Sequence, residues 1–433
     1  MAAGTEGVLV VASEEGELGA GVVERFLREA GGGEARVVVV GWGDDVGRLV
    51  EVAGEVGVAG FSVVREVGDL EGVTGVWVVG DAEVDCGVVG GRAGVIGGRV
   101  PGGVMGAATE GRVGYEIAAG AALLVKGRRI SAVGEVEVGL AAGAGREGLV
   151  RRLEGEMDLT ALRRSAVGRA GEVFPPAEMG VARVESGTLV IVGGGGMPKG
   201  LMGRFVELAG GVEEAKIVVV PISMPEPLPE EDGMEKSLRG MGVKTVTVLR
   251  GRTPEVVDGE ESLAALREAT GIWFGGGRQW RFYDAYVGTE ARELMVKVLE
   301  RGGVIGGSSA GASIQPEYMA RGNPMGSREI MEEGYERGLG FLPGVAVDQH
   351  FSERNRFGDL ASLVDRYPQI LGIGIDETTA LVVEGSVAEV VGRGAVHFYD
   401  RRKPLVEGEP DHESLPAGDR YDLVARERLQ KGG

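Results

Sequence analysis

The stretch GGVIGGSSAGASIQP, residues 302–316, carries a serine in a setting that suits nucleophilic chemistry. A short apolar run leads into GSSAG, residues 307–311, which fits the pattern G-x-S-x-G around Ser309. In this pattern a strand turns sharply into a helix, and the small neighbours leave the serine hydroxyl exposed. Backbone N–H groups at the start of the helix can then stabilise an oxyanion. Because Gly, Ser and Ala are abundant in this chain, the pattern also fits a tight turn without chemistry.

A nucleophilic serine needs a general base, and the chain contains only three histidines, His350, His397 and His412. His350 follows an apolar run in VAVDQHFSERNRFGDL, and an acidic pair follows the next apolar run in ILGIGIDETTALVVEG. Residues at strand ends meet at one edge of an α/β sheet, so a triad in the order serine, histidine, acid is expected. From the residues alone, Asp376 and Glu377 are both candidates for the acid.

A second triad order is also open. The α/β-hydrolases use serine, acid and histidine in chain order, which here would be Ser309, Asp376 and His397 and would indicate an esterase. The alternation in GAVHFYD, however, is more typical of a structural histidine at position 397. His412 lies in a polar tail, where we expect it to be exposed to solvent.

Two glycine-rich stretches follow other apolar runs. WFGGGRQWRF, residues 273–282, ends a predicted strand in three glycines before Arg278 and Gln279, and such glycines let a backbone N–H approach a ligand closely. VGGGGMPKG, residues 192–200, lacks a clear acidic partner about 20 residues on, so a dinucleotide site is the weaker interpretation.

The chain also repeats itself. Residues 8–40 and 188–220 both read as strand, glycine-containing turn, amphipathic helix and strand, and later segments match in the same order: 75–84 with 271–280, 102–111 with 302–311, and 121–127 with 379–385. Where the second copy has Ser309 and Gln279, the first has Thr109 and Glu83. Continuous apolar runs suit parallel strands covered by helices. We therefore predict an α/β protein of two tandem doubly wound, mostly parallel-sheet domains: a degenerate, non-catalytic repeat at 1–150, a helical linker at 151–186 and a catalytic domain at 187–433.

Composition excludes several classes of protein. The 433 residues carry a formal net charge of −20, which argues against a nucleic-acid partner. Cys86 is the single cysteine, so no disulfide can form within the chain and a reducing compartment is expected. No signal peptide and no run of about 20 apolar residues is evident, so we expect a cytoplasmic protein without a membrane segment. With few histidines and no CxxC or HExxH spacing, we expect no metal and no cofactor.

Four motifs taken together resemble the cyanophycinase-like branch of peptidase family S51, which also holds the aspartyl dipeptidases. The motifs are GGRQ at 276–279, GSSAGA at 307–312, DQHF at 348–351 with Arg354 and Arg356, and GIDE at 374–377. The resemblance covers about residues 187–400. It implies a class I glutamine-amidotransferase-like fold and a metal-free serine mechanism.

The resemblance also implies individual roles. Ser309 would be the nucleophile, His350 the general base and Glu377 the acid that orients it. The N–H group of Ala310 and that of Gly276 or Gly277 would form the oxyanion hole. The substrate pocket would be lined by Gln279, Asp348, Gln349, Arg354 and Arg356. Family substrates are the β-linked Asp-Arg units of cyanophycin or dipeptides that begin with Asp.

Two positions depart from the family pattern. Members often have an acid where this chain has Arg278, and an arginine where it has Asp359. Because the two changes are opposite in sign, we hypothesise that Arg278 and Asp359 form one ion pair with exchanged charges beside the substrate. The alternative is two independent surface substitutions.

Two further questions stay open at the level of sequence. The degenerate first copy allows a non-catalytic, amidotransferase-like binding protein as an alternative to a peptidase. The first copy could also take the place of a second subunit, so the chain is expected to be a pseudo-dimer or a homodimer.

Overall fold

The computed structural model describes residues 108–430 apart from 109, 110, 119, 120 and 172, and it describes the backbone of six strands before residue 108. The chain divides into two compact units, unit 1 (Met1–Pro176) and unit 2 (Ala177–Gly433). The boundary falls within residues 151–186. In the part of the chain that is described, no helix has both the length and the apolar character needed to cross a membrane.

Unit 1 is rich in short strands. They are β1 (Val8–Ala12), β2 (Arg36–Val40), β3 (Gly60–Val64), β4 (Gly75–Val79), β5 (Val84–Cys86), β6 (Ala93–Ile96), β7 (Val113–Ile117), β8 (Ala122–Lys126), β9 (Arg129–Val133), β10 (Val136–Leu140), β11 (Leu149–Arg152) and β12 (Glu156–Asp158). The described strands form a sheet in the order β12-β9-β8-β1-β4-β2-β3, a sheet β11-β10-β7 and a pair β5-β6.

The polar helix expected after these strands is α1 (Leu159–Arg169). It begins at Asp158, whose carboxylate accepts a hydrogen bond from the Ala161 N–H at 2.8 Å and so satisfies a free helix donor. Its buried side, which includes Leu162 and Ala166, packs with Tyr115 and other apolar residues of the unit 1 strands. This part of the predicted linker is therefore packed within unit 1.

Unit 2 alternates strands and helices. Its strands are β13 (Thr188–Val192), β14 (Lys216–Val220), β15 (Thr245–Val248), β16 (Gly271–Phe274), β17 (Val304–Ser308), β18 (Pro316–Met319), β19 (Leu342–Gln349), β20 (Leu371–Ile375), β21 (Thr379–Glu384), β22 (Val387–Gly392), β23 (Ala395–Tyr399), β24 (Glu413–Pro416), β25 (Arg420–Asp422) and β26 (Glu427–Leu429). Its helices are α2 (Leu201–Leu208), α3 (Gly211–Glu214), α4 (Gly233–Gly240), α5 (Pro254–Val257), α6 (Glu260–Glu268), α7 (Trp280–Tyr286), α8 (Glu290–Glu300), α9 (Ala310–Ser313) and α10 (Phe357–Arg366).

Two sheets organise unit 2. The larger has the order β15-β14-β16-β17-β13-β21-β22-β25-β26, parallel from β15 to β13 and antiparallel beyond. The smaller has the order β18-β19-β20-β23-β24, with β18, β19 and β20 parallel. The apolar runs behave as expected, since every residue of β13 is buried. The α/β class is confirmed, but the sheets of unit 2 are not mostly parallel as predicted, because each has as many antiparallel as parallel strand pairs.

The two larger sheets share a strand arrangement. In unit 1 the order β3-β2-β4-β1 is parallel and β8 and β9 follow antiparallel, as β15-β14-β16-β17-β13 are followed by β21 and β22 in unit 2. The difference is that β1 pairs directly with β4, whereas β17 separates β13 from β16. Thr109 and Glu83 lie outside the described residues, and the tandem duplication stays a prediction.

Glycines allow β17 to pass directly into α9. A Cβ on Gly307 would collide with the backbone of Gly311, and a Cβ on Gly311 would collide with the carbonyl of Phe274 in β16. The strand, the helix and the neighbouring strand thus approach one another through backbone atoms alone. The crowding predicted around Ser309 is a real feature of the fold.

We expect Gly311→Ala to destabilise the protein by about 1–3 kcal/mol, because the added methyl overpacks this contact. Gly203→Ala is a matched control, since Gly203 also lies in a helix but a Cβ there meets nothing within 4 Å. The control should be stabilising by about 0.5–1 kcal/mol, because alanine has the higher helix propensity. Denaturant unfolding of both variants tests the pair, and equal effects would contradict the close approach.

Candidate active site

Candidate site residues named from the sequence follow the carboxyl ends of four strands of unit 2, and Gly193, which was not predicted, follows a fifth. Gly193 follows β13, Gly276 lies after β16, Ser309 follows β17, His350 follows β19 and Asp376 follows β20. Ligand sites of α/β sheets are usual at this edge. The two sheets therefore contribute to one cluster of side chains, described below.

Ser309 occupies a sharp strand-to-helix turn. Its backbone has φ 56° and ψ −111°, a conformation that costs a non-glycine residue energy. The turn is held by hydrogen bonds from the Ser309 N–H to the carbonyl of Val192 at 3.0 Å and from the Ala312 N–H to the Ser309 carbonyl at 2.9 Å. This geometry is the one expected of a nucleophile elbow.

Three side chains form a continuous hydrogen-bonded chain. The Oγ atom of Ser309 lies 2.9 Å from Nε2 of His350, and Nδ1 of His350 lies 2.6 Å from Oε1 of Glu377. With the ring proton on Nδ1, the imidazole donates to Glu377 and accepts from the serine hydroxyl. This is the arrangement in which a carboxylate orients a base and the base activates a hydroxyl.

The surroundings of His350 favour its neutral form. Burial lowers the pKa of His350 below its usual value, the hydrogen bond that its ring donates to Glu377 acts in the opposite direction, and the positive charges of Arg354 and Arg356 lower the pKa further. A neutral imidazole can accept a proton from a hydroxyl, so these effects keep the ring ready to act as a base at neutral pH.

The glycines after β13 support this chain, a role that the sequence analysis missed. The Gly193 carbonyl accepts the His350 N–H at 2.8 Å, a Cβ on Gly194 would collide with the His350 ring, and a Cβ on Gly195 would collide with the Glu377 carboxylate. The signal was present in VGGGGMPKG, which follows the first strand of the domain. The sequence analysis considered this stretch only as a weak dinucleotide site, whereas in the structure its glycines approach the His350 ring and Glu377.

The predicted oxyanion donors flank Ser309. Ala310 is the first residue of α9, and a Cβ on Gly276 would lie 3.5 Å from the Cβ of Ser309. Gly277 has φ 149° and packs against the carbonyl of Ser223. Ala310 and Gly276 are therefore the residues of this group that adjoin the serine, and their action on an oxyanion stays a prediction.

Asp348, two residues before His350, forms ion pairs with two arginines. It is fully buried, and its carboxylate accepts hydrogen bonds from Nη2 of Arg321 at 2.8 Å and from Nη1 of Arg356 at 2.8 Å. Arg356 Nη1 also donates to the carbonyl of Gln349 at 2.6 Å and to its side-chain oxygen at 3.1 Å. Arg321 was not anticipated from the sequence. Contact of Asp348, Gln349 or Arg356 with a substrate stays a prediction.

The hypothesis of an ion pair between Arg278 and Asp359 is wrong. Arg278 donates to the backbone carbonyls of Asn323 and, at 2.6 Å, of Gly326. Asp359 instead accepts from Nη2 of Arg321 at 2.7 Å, so its carboxylate extends the Arg321–Asp348 pair towards solvent. The two charge changes thus belong to different contacts. A role of either residue in substrate binding stays a prediction.

Gln279 and Arg354 differ in their setting. The Gln279 side chain is buried and donates to the carbonyls of Ala320 and Arg321 at 2.6 and 2.8 Å. Arg354 is exposed, and its charge acts on His350. Arg354 is therefore an accessible cation beside the candidate base.

The remaining histidines form a separate cluster. His397 is buried, with Nε2 at 3.3 Å from Asp376 and Nδ1 at 2.8 Å from the hydroxyl of Ser414. His412 is not exposed as expected, because its ring stacks on Tyr399 with the centroids 4.7 Å apart. Ser309 is bonded to His350, and the structure does not bring it to His397. No group of three or more His, Cys, Asp or Glu among the described residues could hold a metal ion.

Comparison with known proteins shows which family this chain resembles. The family model "Peptidase family S51" matches residues 182–391. A cyanophycinase of Synechococcus elongatus is 36% identical over 207 residues, which cover 47% of this chain and 63% of that protein. A cyanophycinase of Geminocystis herdmanii is 33% identical over 207 residues, 47% of this chain and 75% of that protein. A crystal structure of a peptidase from an acI-B1 Actinobacterium has a TM-score of 0.41 and 21% identity, and covers 55% of this chain and 97% of its own.

Fold and site together define an α/β protein with a serine, histidine and carboxylate in one hydrogen-bonded chain. The chain belongs to peptidase family S51. The match to the Synechococcus relative spans 63% of that protein's length, and the match to the family model lies in unit 2.

We expect Gly194→Ala to slow the labelling of Ser309 by a fluorophosphonate probe at least about 10-fold, because the methyl would displace the His350 ring. The matched control is Gly200→Ala. Gly194 (φ 102°) and Gly200 (φ 80°) share a positive φ, but a Cβ on Gly200 meets nothing within 4 Å. Both variants carry the backbone cost of about 1–2 kcal/mol, so equal labelling rates would count against the contact with His350.

Proposed function

We propose that the protein is a serine exopeptidase or isopeptidase that hydrolyses amide bonds of aspartyl peptides through Ser309, His350 and Glu377. The observation that carries the proposal is the chain of two hydrogen bonds, 2.9 Å from Ser309 Oγ to His350 Nε2 and 2.6 Å from His350 Nδ1 to Glu377 Oε1. Membership of peptidase family S51 supports the reaction class.

In the first half of the reaction, Ser309 Oγ attacks the amide carbonyl carbon while His350 Nε2 takes the hydroxyl proton. The N–H groups of Ala310 and of Gly276 or Gly277 stabilise the oxyanion. The tetrahedral intermediate collapses when the C–N bond breaks and His350 returns the proton to the leaving amine. The product is an ester between Ser309 and the acyl part of the substrate.

In the second half, water replaces the amine. His350 takes a proton from the water as its oxygen attacks the ester, and then returns that proton to Ser309 Oγ as the C–O bond breaks. Glu377 accepts the Nδ1 hydrogen bond throughout and stabilises the imidazolium that forms in each half. No metal or cofactor takes part in this sequence.

The charges beside the base support a substrate with a carboxylate. Arg354 is exposed and its guanidinium can bind a carboxylate through two hydrogen bonds. The relatives are cyanophycinases, and β-linked Asp-Arg dipeptide units or dipeptides beginning with Asp are the substrate classes that we propose for this chain. Asp359, half exposed beside Arg321, adds a carboxylate that could favour the cationic side chain of such a substrate.

The proposal also covers the fold of unit 2, the nature of unit 1 and the location of the chain. We propose that unit 2 has the class I glutamine-amidotransferase-like fold, that unit 1 is its degenerate and non-catalytic repeat, and that the chain acts in the cytoplasm. The shared strand order of the two larger sheets supports the duplication.

A pseudo-dimer within one chain predicts a monomer by light scattering, and a dimer of full chains would contradict it.

The substrate panel is cyanophycin together with α-Asp and β-Asp dipeptides, with products identified by mass spectrometry. We expect hydrolysis of at least one of them, reduced by about 10⁴-fold or more in Ser309→Ala and in His350→Ala. His397→Ala should keep Ser309-dependent turnover well above that of His350→Ala, whereas loss of turnover at His397 with retention at His350 would favour the esterase. Absence of hydrolysis of every member by the wild-type protein would favour a binding protein.

The value of kcat/KM should rise with pH as His350 loses its proton. Because the pKa of His350 is lowered, the midpoint of this rise should lie below the usual histidine pKa of about 6.5. Arg354→Gln removes a positive charge that lowers the pKa of His350, so the acid limb of kcat/KM against pH should shift to higher pH. The control Arg366→Gln removes an exposed arginine whose described contact is the ring of Tyr367. An unchanged acid limb in Arg354→Gln would show that Arg354 does not act on His350.

A further inference from the structure

The base and the acid both lie on turns that need external support. His350 has φ 50° and begins the turn after β19, and Thr378 has φ 53° in the turn after β20 that carries Glu377. A positive φ is unfavourable for residues with a side chain, and such conformations persist where surrounding contacts determine them. The contacts that hold these two turns therefore decide where His350 and Glu377 lie.

Asp376 joins one turn to the other. Its Oδ1 atom accepts hydrogen bonds from the Ser352 N–H at 3.1 Å and from the Ser352 hydroxyl, so it fastens the turn that carries His350. Its Oδ2 atom accepts the Ala395 N–H at 2.9 Å, at the start of β23. Glu377, the next residue along the chain, is thereby tied to the turn of the base.

His397 contacts Asp376 through its imidazole ring. Its Nε2 atom lies 3.3 Å from Asp376 Oδ1, and its Nδ1 atom lies 2.8 Å from the Ser414 hydroxyl. The ring is packed by Phe351 and Phe357, each with its centroid 5.2 Å away. The packing and the two polar contacts leave His397 little freedom to rotate.

Asp376 stays ionised in this position. Burial alone would raise the pKa of Asp376, but hydrogen bonds from His397, Ser352 and the Ala395 N–H outweigh it and hold the pKa at about 2. An ionised carboxylate accepts stronger hydrogen bonds than a neutral one, which suits a group that holds two turns together.

We propose that Ser352, Asp376 and His397 form a positioning clamp that sets the distance and angle between His350 and Glu377 without touching the substrate. The proposal rests on the proposed function, because it takes His350 as the base of the reaction. Asp376 and His397 were the acid and the histidine of the alternative esterase triad. In this proposal they instead position His350 and Glu377 of the triad that contains Ser309. Displacement of a catalytic group by about 1 Å can cost about 10²-fold in rate, so such a clamp would act strongly on kcat.

The decisive variant is Ser352→Ala, which removes one hydroxyl donor to Asp376. Its matched control is Ser386→Ala, because the Ser386 hydroxyl also donates to a carboxylate, that of Asp422 at 3.1 Å, at the turn between β21 and β22. We expect Ser352→Ala to lower kcat about 10-fold or more with little change in KM. Ser386→Ala should match the wild type, and Ser352→Thr, which keeps a hydroxyl, should recover most of the rate.

A second measurement does not need a substrate. The chain has only three histidines, so NMR of the ¹³C-labelled rings can follow the titration of His350, assigned with His350→Gln. The groups that act on this ring are Glu377, which supports its charged form, and Arg354 and Arg356, which oppose it. When the clamp is loosened, the bond to Glu377 should weaken. The pKa of His350 should then fall, and the low-field Nδ1 proton signal should diminish.

These readouts separate the two proposals. If Ser352→Ala leaves the His350 titration and the Nδ1 signal as in the wild type, the clamp is overturned, whatever the enzyme hydrolyses. If both change while the wild-type protein hydrolyses no member of the panel, the clamp is supported and the proposed substrate class fails. Asp376→Asn serves as a second variant if Ser352→Ala does not fold, and it should give the same fall in the pKa of His350.

Discussion

One imidazole ring has to lie within hydrogen-bonding distance of groups that come from several strand ends, and the backbone around it makes room by having no side chains. Gly194 lies so close to the His350 ring, and Gly195 so close to Glu377, that a Cβ at either position would collide with these side chains. A Cβ on Gly307 or Gly311 would likewise collide with backbone atoms where β17 passes into α9 at Ser309. The abundance of glycine in this chain is thus partly explained by close approach at the site, since each of these positions needs the absence of a side chain.

Charge around the ring is arranged in two layers. Closest to it, burial, Arg354 and Arg356 oppose the imidazolium while Glu377 favours it, and the net effect lowers the pKa of His350 and so favours the neutral ring. Farther out, Asp348 is buried between Arg321 and Arg356, and the pair of guanidinium groups compensates the cost of burying its charge. Because Asp348 lies two residues before His350, this ion network also supports the end of β19. Electrostatics and positioning therefore come from the same residues.

Much of this arrangement was accessible from the sequence. Apolar runs predicted the buried parallel strands, and chemistry-bearing residues directly after those runs were expected at one sheet edge, where Ser309, His350 and Glu377 lie. The choice between Asp376 and Glu377 could not be made, because adjacent residues on a turn point in different directions that only the three-dimensional structure defines. The supposed Arg278–Asp359 pair failed for a related reason. Complementary charge does not specify proximity, and Arg321, the actual partner of Asp359, stands in no motif.

Arg321 connects the segment from Ala320 to Arg328 with the buried carboxylate of Asp348. Arg278, Gln279 and Arg321 all bond to the segment from Ala320 to Arg328, the first two through its carbonyls and the third from within it. Arg321 in turn joins this segment to Asp348 and Asp359. This segment is therefore held by Arg278, Gln279 and Arg321, whose hydrogen bonds to its backbone oxygens constrain its shape. In the proposed function Asp359 helps to recognise the substrate, so selectivity would change through Asp359 and the segment that holds Arg321, without any change to the hydrogen-bonded chain that begins at Ser309.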